Sequence, residues 1–243
     1  MRLLVTRPEQ DAIALKAQLI GLGHEVLIEP LIHIEYDPLD ELDLADAQAL
    51  IATSRNALRA LAQSRHVADA RALPLYAVGP GTSATARALG FELVLQGPKD
   101  AAALIGFVAE HAEVYGGPLV YLAGEVRAAD VGGELRRLGF HVLEPVAYRA
   151  RASSRLSRPI TARFEAGEID GVLMMSPQTA RTYVRLIRTL GLGAKAGKVM
   201  HYCLSPAVAR ALDPLAPVHR VAAAEPNMQS LLALVAQGVP HLP

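Results

Sequence analysis

Residues 3–9, LLVTRPE, followed by residues 19–36, LIGLGHEVLIEPLIHIEY, are repeated in outline by LVYLAGE at 119–125 and LRRLGFHVLEPVAYRA at 135–150. Each copy reads as a strand, a turn closing on Glu, a helix ending in Leu-Gly, a strand, Glu-Pro, and then an extended run. The offset is 116 residues and drops to 115 at the proline. Further on, LIATSRNALRAL at 50–61 matches VLMMSPQTARTYV at 172–184, and YAVGPGTSATARAL at 76–89 matches YCLSPAVARAL at 202–212. Four blocks in the same order point to a duplicated unit. The alternative is that any two βαβ units share such patterning.

Between these blocks, short apolar runs alternate with segments whose apolar residues recur every three or four positions, such as residues 10–22, 101–111, 132–138, 178–190 and 228–237. That alternation predicts an α/β fold of parallel sheets with helices on both faces. Residues 26–28 read as a strand buried on both faces, whereas 31–36 alternate like an exposed one after Pro30 breaks the ladder. The matching run at 146–151 makes the two natural antiparallel partners, since a solitary strand is unstable. Two domains are then expected, one from residues 1–30 with 152–243 and one from 37–145, joined by a two-stranded linker of 31–36 and 146–151. Two contiguous domains split near Gly116 and Gly117 fit the periodicity equally well.

Charge and cysteine content narrow the function. Lys plus Arg equals Asp plus Glu at 24 each, so no whole-molecule field attracts nucleic acid or an anionic membrane. Cys203 is the single cysteine among 243 residues, which excludes an intramolecular disulfide and a Cys-built zinc site. The start MRLLVTRPEQ meets charge too early for a signal peptide, and no apolar run approaches a membrane span. A cytoplasmic protein is expected. The eight histidines show no metal spacing, and His24, His66, His111 and His141 read as surface or element-end residues. The helix-borne Arg87, Arg136, Arg137, Arg181, Arg185 and Arg188 read as solvated faces, and Cys203 as a packed thiol.

Parallel sheets bind ligands at the carboxyl ends of their strands, which directs attention to four small, polar strand-to-helix turns. These are VTRPE with Thr6 and Arg7, ATSRNA with Thr53, Ser54, Arg55 and Asn56, VGPGTS with Gly79, Gly81, Thr82 and Ser83, and MSPQTA with Ser176, Gln178 and Thr179. Each offers free N–H groups at a helix start and a hydroxyl beside them, a site for carboxylate or phosphate. The competing reading is plain N-capping. GPGTSATARALG lacks the Gly-Lys-Ser/Thr of a P-loop, and the first strand lacks G-x-G-x-x-G, so no nucleotide cofactor is expected. There is no Gly-x-Ser-x-Gly elbow either.

Taken in order, VTRPE, PLIHI, ATSRNA, VGPGT with Gly90 and Phe91 after its helix, YLAG, LGFHV with VAY, and GVLMMSP resemble the uroporphyrinogen-III synthase family from residue 1 to about 235. The resemblance implies two flavodoxin-like α/β domains, the first made from both chain ends, joined by a two-stranded antiparallel connector. It also implies a monomer acting on hydroxymethylbilane, which is dehydrated and cyclised with inversion of its last pyrrole ring through a spiro intermediate. No cofactor or metal is implied. Ser54, Asn56, Thr82, Ser176 and Tyr148 fall on family motif positions; the first four, with Arg7, Arg55, Gly81, Gly124, Gln178 and Ser205 from the turns and strand ends, are candidate substrate-binding residues, and Tyr148 is the candidate catalytic residue. One departure stands out: where the family has Gly-Pro-x-Thr, residues 204–208 read Leu-Ser-Pro-Ala-Val, so Ala207 and Val208 replace hydroxyl-bearing positions and Ser205 alone remains. That departure keeps open a second reading, a non-catalytic two-lobed small-ligand-binding or regulatory domain on the same scaffold.

Overall fold

The computed structural model describes residues 1–98 and 100–238. The first repeat forms β1 (Arg2–Val5), α1 (Glu9–Gly21), β2 (Glu25–Ile28), β3 (Ile32–Tyr36), β4 (Ala49–Ala52), α2 (Arg55–Gln63), α3 (Val67–Arg71), β5 (Leu75–Val78), α4 (Gly79–Ala88), β6 (Val94–Gly97) and α5 (Ala101–His111). The second forms β7 (Leu119–Gly124), α6 (Val131–Arg137), β8 (Val142–Leu143), β9 (Val146–Ala152), α7 (Arg158–Ala166), β10 (Gly171–Met174), α8 (Pro177–Thr189), α9 (Gly193–Ala196), β11 (Met200–Cys203), α10 (Pro206–Arg210), β12 (His219–Ala222) and α11 (Met228–Ala236). The mixed α/β, parallel-sheet expectation holds.

Two compact units emerge, one from Met1–His33 together with the chain from Arg151 on, the other from Ile34–Ala150. In the first, the strand order is β2-β1-β10-β11-β12, all pairs parallel. Counted within the unit this is 2-1-3-4-5, the flavodoxin-like order. The second unit has the same arrangement of corresponding repeat strands, β8-β7-β4-β5-β6, again parallel, but its chain enters at β4, so that counted within the unit it reads 5-4-1-2-3. Each sheet therefore takes its leading βαβ from one repeat and its last three strands from the other. Past Pro145, β9 continues along the edge of β7 that β8 began, with a register irregularity at Ala123 and Gly124, and β3 is the neighbour of β9. Within the second unit, Asp37 N donates to Ala147 O at 2.9 Å; within the first, Ser153 N donates to Leu31 O, also at 2.9 Å.

Alternation along the strands puts a core on each face of each sheet. Leu4 packs with Val172, Met174 and Tyr183, whereas Leu3 and Val5 on the same strand face Leu19, Leu173 and Tyr202. In the second unit, Leu50 and Ala52 join Leu58 and Leu122 on one face, while Ala49 and Ile51 join Leu104 and Tyr121 on the other. The strand expected to be buried on both faces, β2, is only half so. Leu27 and Ile28 do pack on opposite cores, but β2 is the edge of its sheet, so Val26 alone is fully covered and Glu25 is exposed.

Candidate functional site

In an open parallel sheet, ligands bind beyond the strand ends at the switch point where the chain changes direction of winding. That point lies between β7 and β4 in the second unit and between β1 and β10 in the first.

At the β7/β4 junction, the Thr53 hydroxyl and the Tyr121 phenol share a hydrogen bond of 3.1 Å. Tyr121 is buried, and burial raises its pKa, with the Thr53 bond acting in the opposite sense. Ser54 caps α2 by accepting from Asn56 N at 3.1 Å, and Arg59 donates to Asn56 Oδ1 at 3.0 Å, which orients the carboxamide. Arg55 opens that helix, half-buried. After β5, α4 starts directly at Gly79, whose φ of 62° suits only glycine comfortably. Gly81, in the first turn, has open space where a side chain would stand. Thr82 is turned inward, 6 % exposed, and its hydroxyl has no partner among the described residues.

Gly124 closes β7, and the ring of Tyr148 lies across it, so Gly124 serves as the seat of that ring. Tyr148 is half-buried, packed against the core that holds Ala52 and Ala147, and its hydroxyl has no protein partner among the described residues. The neighbouring Arg149 pairs with Asp37 at 3.1 Å and Glu125 at 3.3 Å.

The first unit is more closed on itself. Thr6 is buried and donates to Leu173 O at 2.8 Å, tying β1 to β10. Arg7 is drawn to Asp11, one turn into α1, at 3.1 Å. Ser176 caps α8, accepting from Thr179 N at 3.1 Å and bonding the Thr179 hydroxyl at 2.9 Å, while Gln178 stands exposed beside it. Ser205 caps the five-residue α10 by accepting from Val208 N at 3.4 Å. Val208 is a core residue of this unit, so the position that resembles a family threonine is spent on packing. The capping reading thus describes Ser54, Ser176 and Ser205 alike.

Four residues escape the sequence patterns. Tyr121 reads as an ordinary strand residue. Arg127 and Glu144 form an ion pair of 3.0 Å that only the fold brings together; the Gly-Gly of residues 132–133 was its faint signal. His201 is fully buried, bonded to His219 O at 3.0 Å and the Tyr183 hydroxyl at 3.1 Å, and burial lowers its pKa to about 4. Burial also pushes the Cys203 thiol up to about 12, as expected of a packed thiol. Among the described residues, no group of three His, Cys, Asp or Glu side chains is placed to hold a metal ion, and no helix is long and apolar enough to cross a membrane.

The balanced charge of the chain conceals a division. The first unit carries 14 of the 24 Lys and Arg with nine of the 24 Asp and Glu; the second carries the remaining 10 with 15.

Comparison with known proteins agrees with this geometry. No curated protein sequence is significantly similar to the chain. Among solved structures, uroporphyrinogen-III synthetase from Helicobacter pylori is 17 % identical, covering 98 % of this chain and 99 % of that one, with a TM-score of 0.64. A mutant uroporphyrinogen III synthase from the extremely thermophilic bacterium Thermus thermophilus is 16 % identical over 98 % of each chain, with a TM-score of 0.54. At these identities the likeness is one of fold. The family model described as uroporphyrinogen-III synthase HemD matches residues 13–233. With nearly the whole chain so matched, it belongs to the uroporphyrinogen-III synthase family, the cyclising lyases that close hydroxymethylbilane to uroporphyrinogen III in tetrapyrrole biosynthesis.

Proposed function

We propose that this chain holds the carboxylates of hydroxymethylbilane at the carboxyl ends of its parallel strands and that Tyr148 assists departure of the substrate hydroxyl. The substrate is a flexible octacarboxylate, which suits several helix starts better than one deep apolar pocket. The helices α2, α4 and α8 begin at those strand ends, and the first-turn amides not taken up by capping are the donors, beside Ser54, Asn56, Gly81 and Thr82 in one unit and Ser176 and Gln178 in the other. Arg7, Arg55 and Ser205 complete the set at the same ends, and Gly124 acts by seating Tyr148. The excess of cations in the first unit favours the same ligand.

Cyclisation requires the C–O bond of the terminal hydroxymethyl group to break with loss of water, and then attack on the resulting electrophilic carbon by the substituted carbon of the last ring. A phenol can donate its proton toward the leaving oxygen. The observation that carries this role is the Tyr148 hydroxyl, fixed by its ring on Gly124 at the end of β7 yet without a protein partner among the described residues. Ring inversion is then a matter of how the bound substrate is folded, a positional effect. We assign the chain a monomeric, cytoplasmic state, to which its lone buried Cys203 is suited.

Tyr148→Phe tests the assignment, because it keeps the ring and removes the donor. A donor role lowers kcat by roughly tenfold to a thousandfold with KM nearly kept. A Phe variant with wild-type turnover and isomer III as its only product would end it.

A further inference from the structure

Arg127 lies in the loop that leaves β7, two residues past Glu125, whose N–H donates to Tyr148 O at 3.0 Å. That bond ties the Arg127 loop to the strand bearing Tyr148. The Tyr121 phenol at the β7/β4 junction feels the charges of both Arg127 and Glu144.

Glu144 is only 11 % exposed along its side chain and meets two arginines, Arg127 Nε at 3.0 Å from Oε1 and Arg136 at 3.1 Å from Oε2. The Arg127 contact is an ion pair without hydrogen-bond alignment. Room for the carboxylate comes from Gly132, where a β-carbon would stand 2.8 Å from Glu144 Cδ. Burying a carboxylate is costly unless cations offset it. Arg136 already does so, and is itself anchored by donating to Val142 O at 3.0 and 3.3 Å. Arg127 is the second cation, and the cluster keeps one net positive charge. Its Nε faces Glu144, whereas its two terminal nitrogens have no partner among the described residues, and the side chain is 35 % exposed.

We propose that Arg127 binds a carboxylate of the substrate through its terminal nitrogens and that Glu144 is the positioning residue that holds the Nε side of its guanidinium by charge. A fork held on one side is preorganised for a two-pronged carboxylate bond on the other. This inference rests on the cyclisation reading and adds a third arginine, beside Arg7 and Arg55, to its proposed substrate contacts.

The test measures kcat and KM for isomer III formation from freshly generated hydroxymethylbilane, with melting temperatures, for wild type, Arg127→Gln, Arg127→Lys, Glu144→Gln, the Arg127→Gln/Glu144→Gln pair and the exposed-charge control Arg137→Gln. Loss of a charged hydrogen-bonding partner predicts a KM raised roughly 10- to 100-fold in Arg127→Gln, with kcat little changed. Arg127→Lys recovers part of this loss, Glu144→Gln raises KM by a smaller factor and adds nothing to Arg127→Gln, and Arg137→Gln keeps the wild-type KM. If Glu144→Gln does not fold, the two Arg127 variants decide alone. A wild-type KM in folded Arg127→Gln, or an equal rise in Arg137→Gln, overturns the inference while leaving the cyclisation reading intact. Wild type that yields no isomer III overturns both.

Discussion

The phenol of Tyr148 lies so close over Gly124 that a β-carbon there would stand 2.8 Å from both its Cζ and its hydroxyl oxygen. Gly124→Ala must therefore move Tyr148, the end of β7, or both. If Tyr148 donates to the leaving hydroxyl, Gly124→Ala lowers kcat about as far as Tyr148→Phe does, roughly tenfold or more, and the double variant is no worse than either single one. Steady-state kinetics on the three proteins checks this. Independent, multiplying losses would separate the two residues.

Gly81 offers a contrasting case. Open space surrounds its missing side chain and its φ lies outside the left-handed region, so Gly81→Ala leaves the melting temperature essentially unchanged. Gly81→Pro removes a first-turn amide that has no helical partner and strains Pro80 before it. We expect KM to rise far more in Gly81→Pro than in Ser54→Ala, whose cap loss costs about 1 kcal/mol of stability. Thermal melts beside KM values distinguish the two effects. Equal, negligible kinetic changes in all these folded variants would make the turns structural caps only.

The framework was legible because each repeat carries its own periodicity, and local patterning suffices to mark strands such as β4 and β5 or a helix such as α5. Periodicity alone left open the exchange of βαβ segments between the two sheets, because it says nothing of which strands pair; the pointer to it was the matched extended runs after Pro30 and Pro145, one able to lead out of a domain and the other back in. The strand-to-helix turns that carry the candidates Ser54, Gly81 and Ser176 could be located for the same local reason. Tyr121 could not, since its hydroxyl meets Thr53, 68 residues away in the chain. Nor could Glu144, which reaches Arg127 only because Gly132 leaves it room. The replacement of hydroxyls by Ala207 and Val208 was visible, but not that Val208 had become part of a core.

His201 makes stability depend on pH. Its pKa falls from 6.5 to about 4 on folding, chiefly through burial. Between those values the unfolded chain binds the proton and the folded chain does not. This contribution is therefore complete above pH 6.5 and is lost as pH falls toward 4, in all on the order of 3 kcal/mol. His201→Gln keeps a polar partner for Tyr183 without titrating. Urea unfolding at about pH 7 and about pH 4.5, on either side of the ordinary histidine value, should show a smaller drop for the variant than for wild type; parallel drops would assign the acid sensitivity elsewhere.

Thr53→Val leaves the buried Tyr121 phenol without its partner, at a cost of about 1–3 kcal/mol. Thr53→Ser keeps the hydroxyl and most of that stability. Denaturant midpoints for the two variants check this, and equal midpoints would show that Tyr121 finds another partner.

The most direct measurement supplies the purified wild-type protein with freshly generated hydroxymethylbilane, oxidises the products and resolves the two uroporphyrin isomers. The substrate closes unaided to isomer I, so the inverted ring reports the protein's action alone. Isomer III should predominate and increase in proportion to protein concentration. Isomer I alone, at the rate seen without protein, would contradict the account.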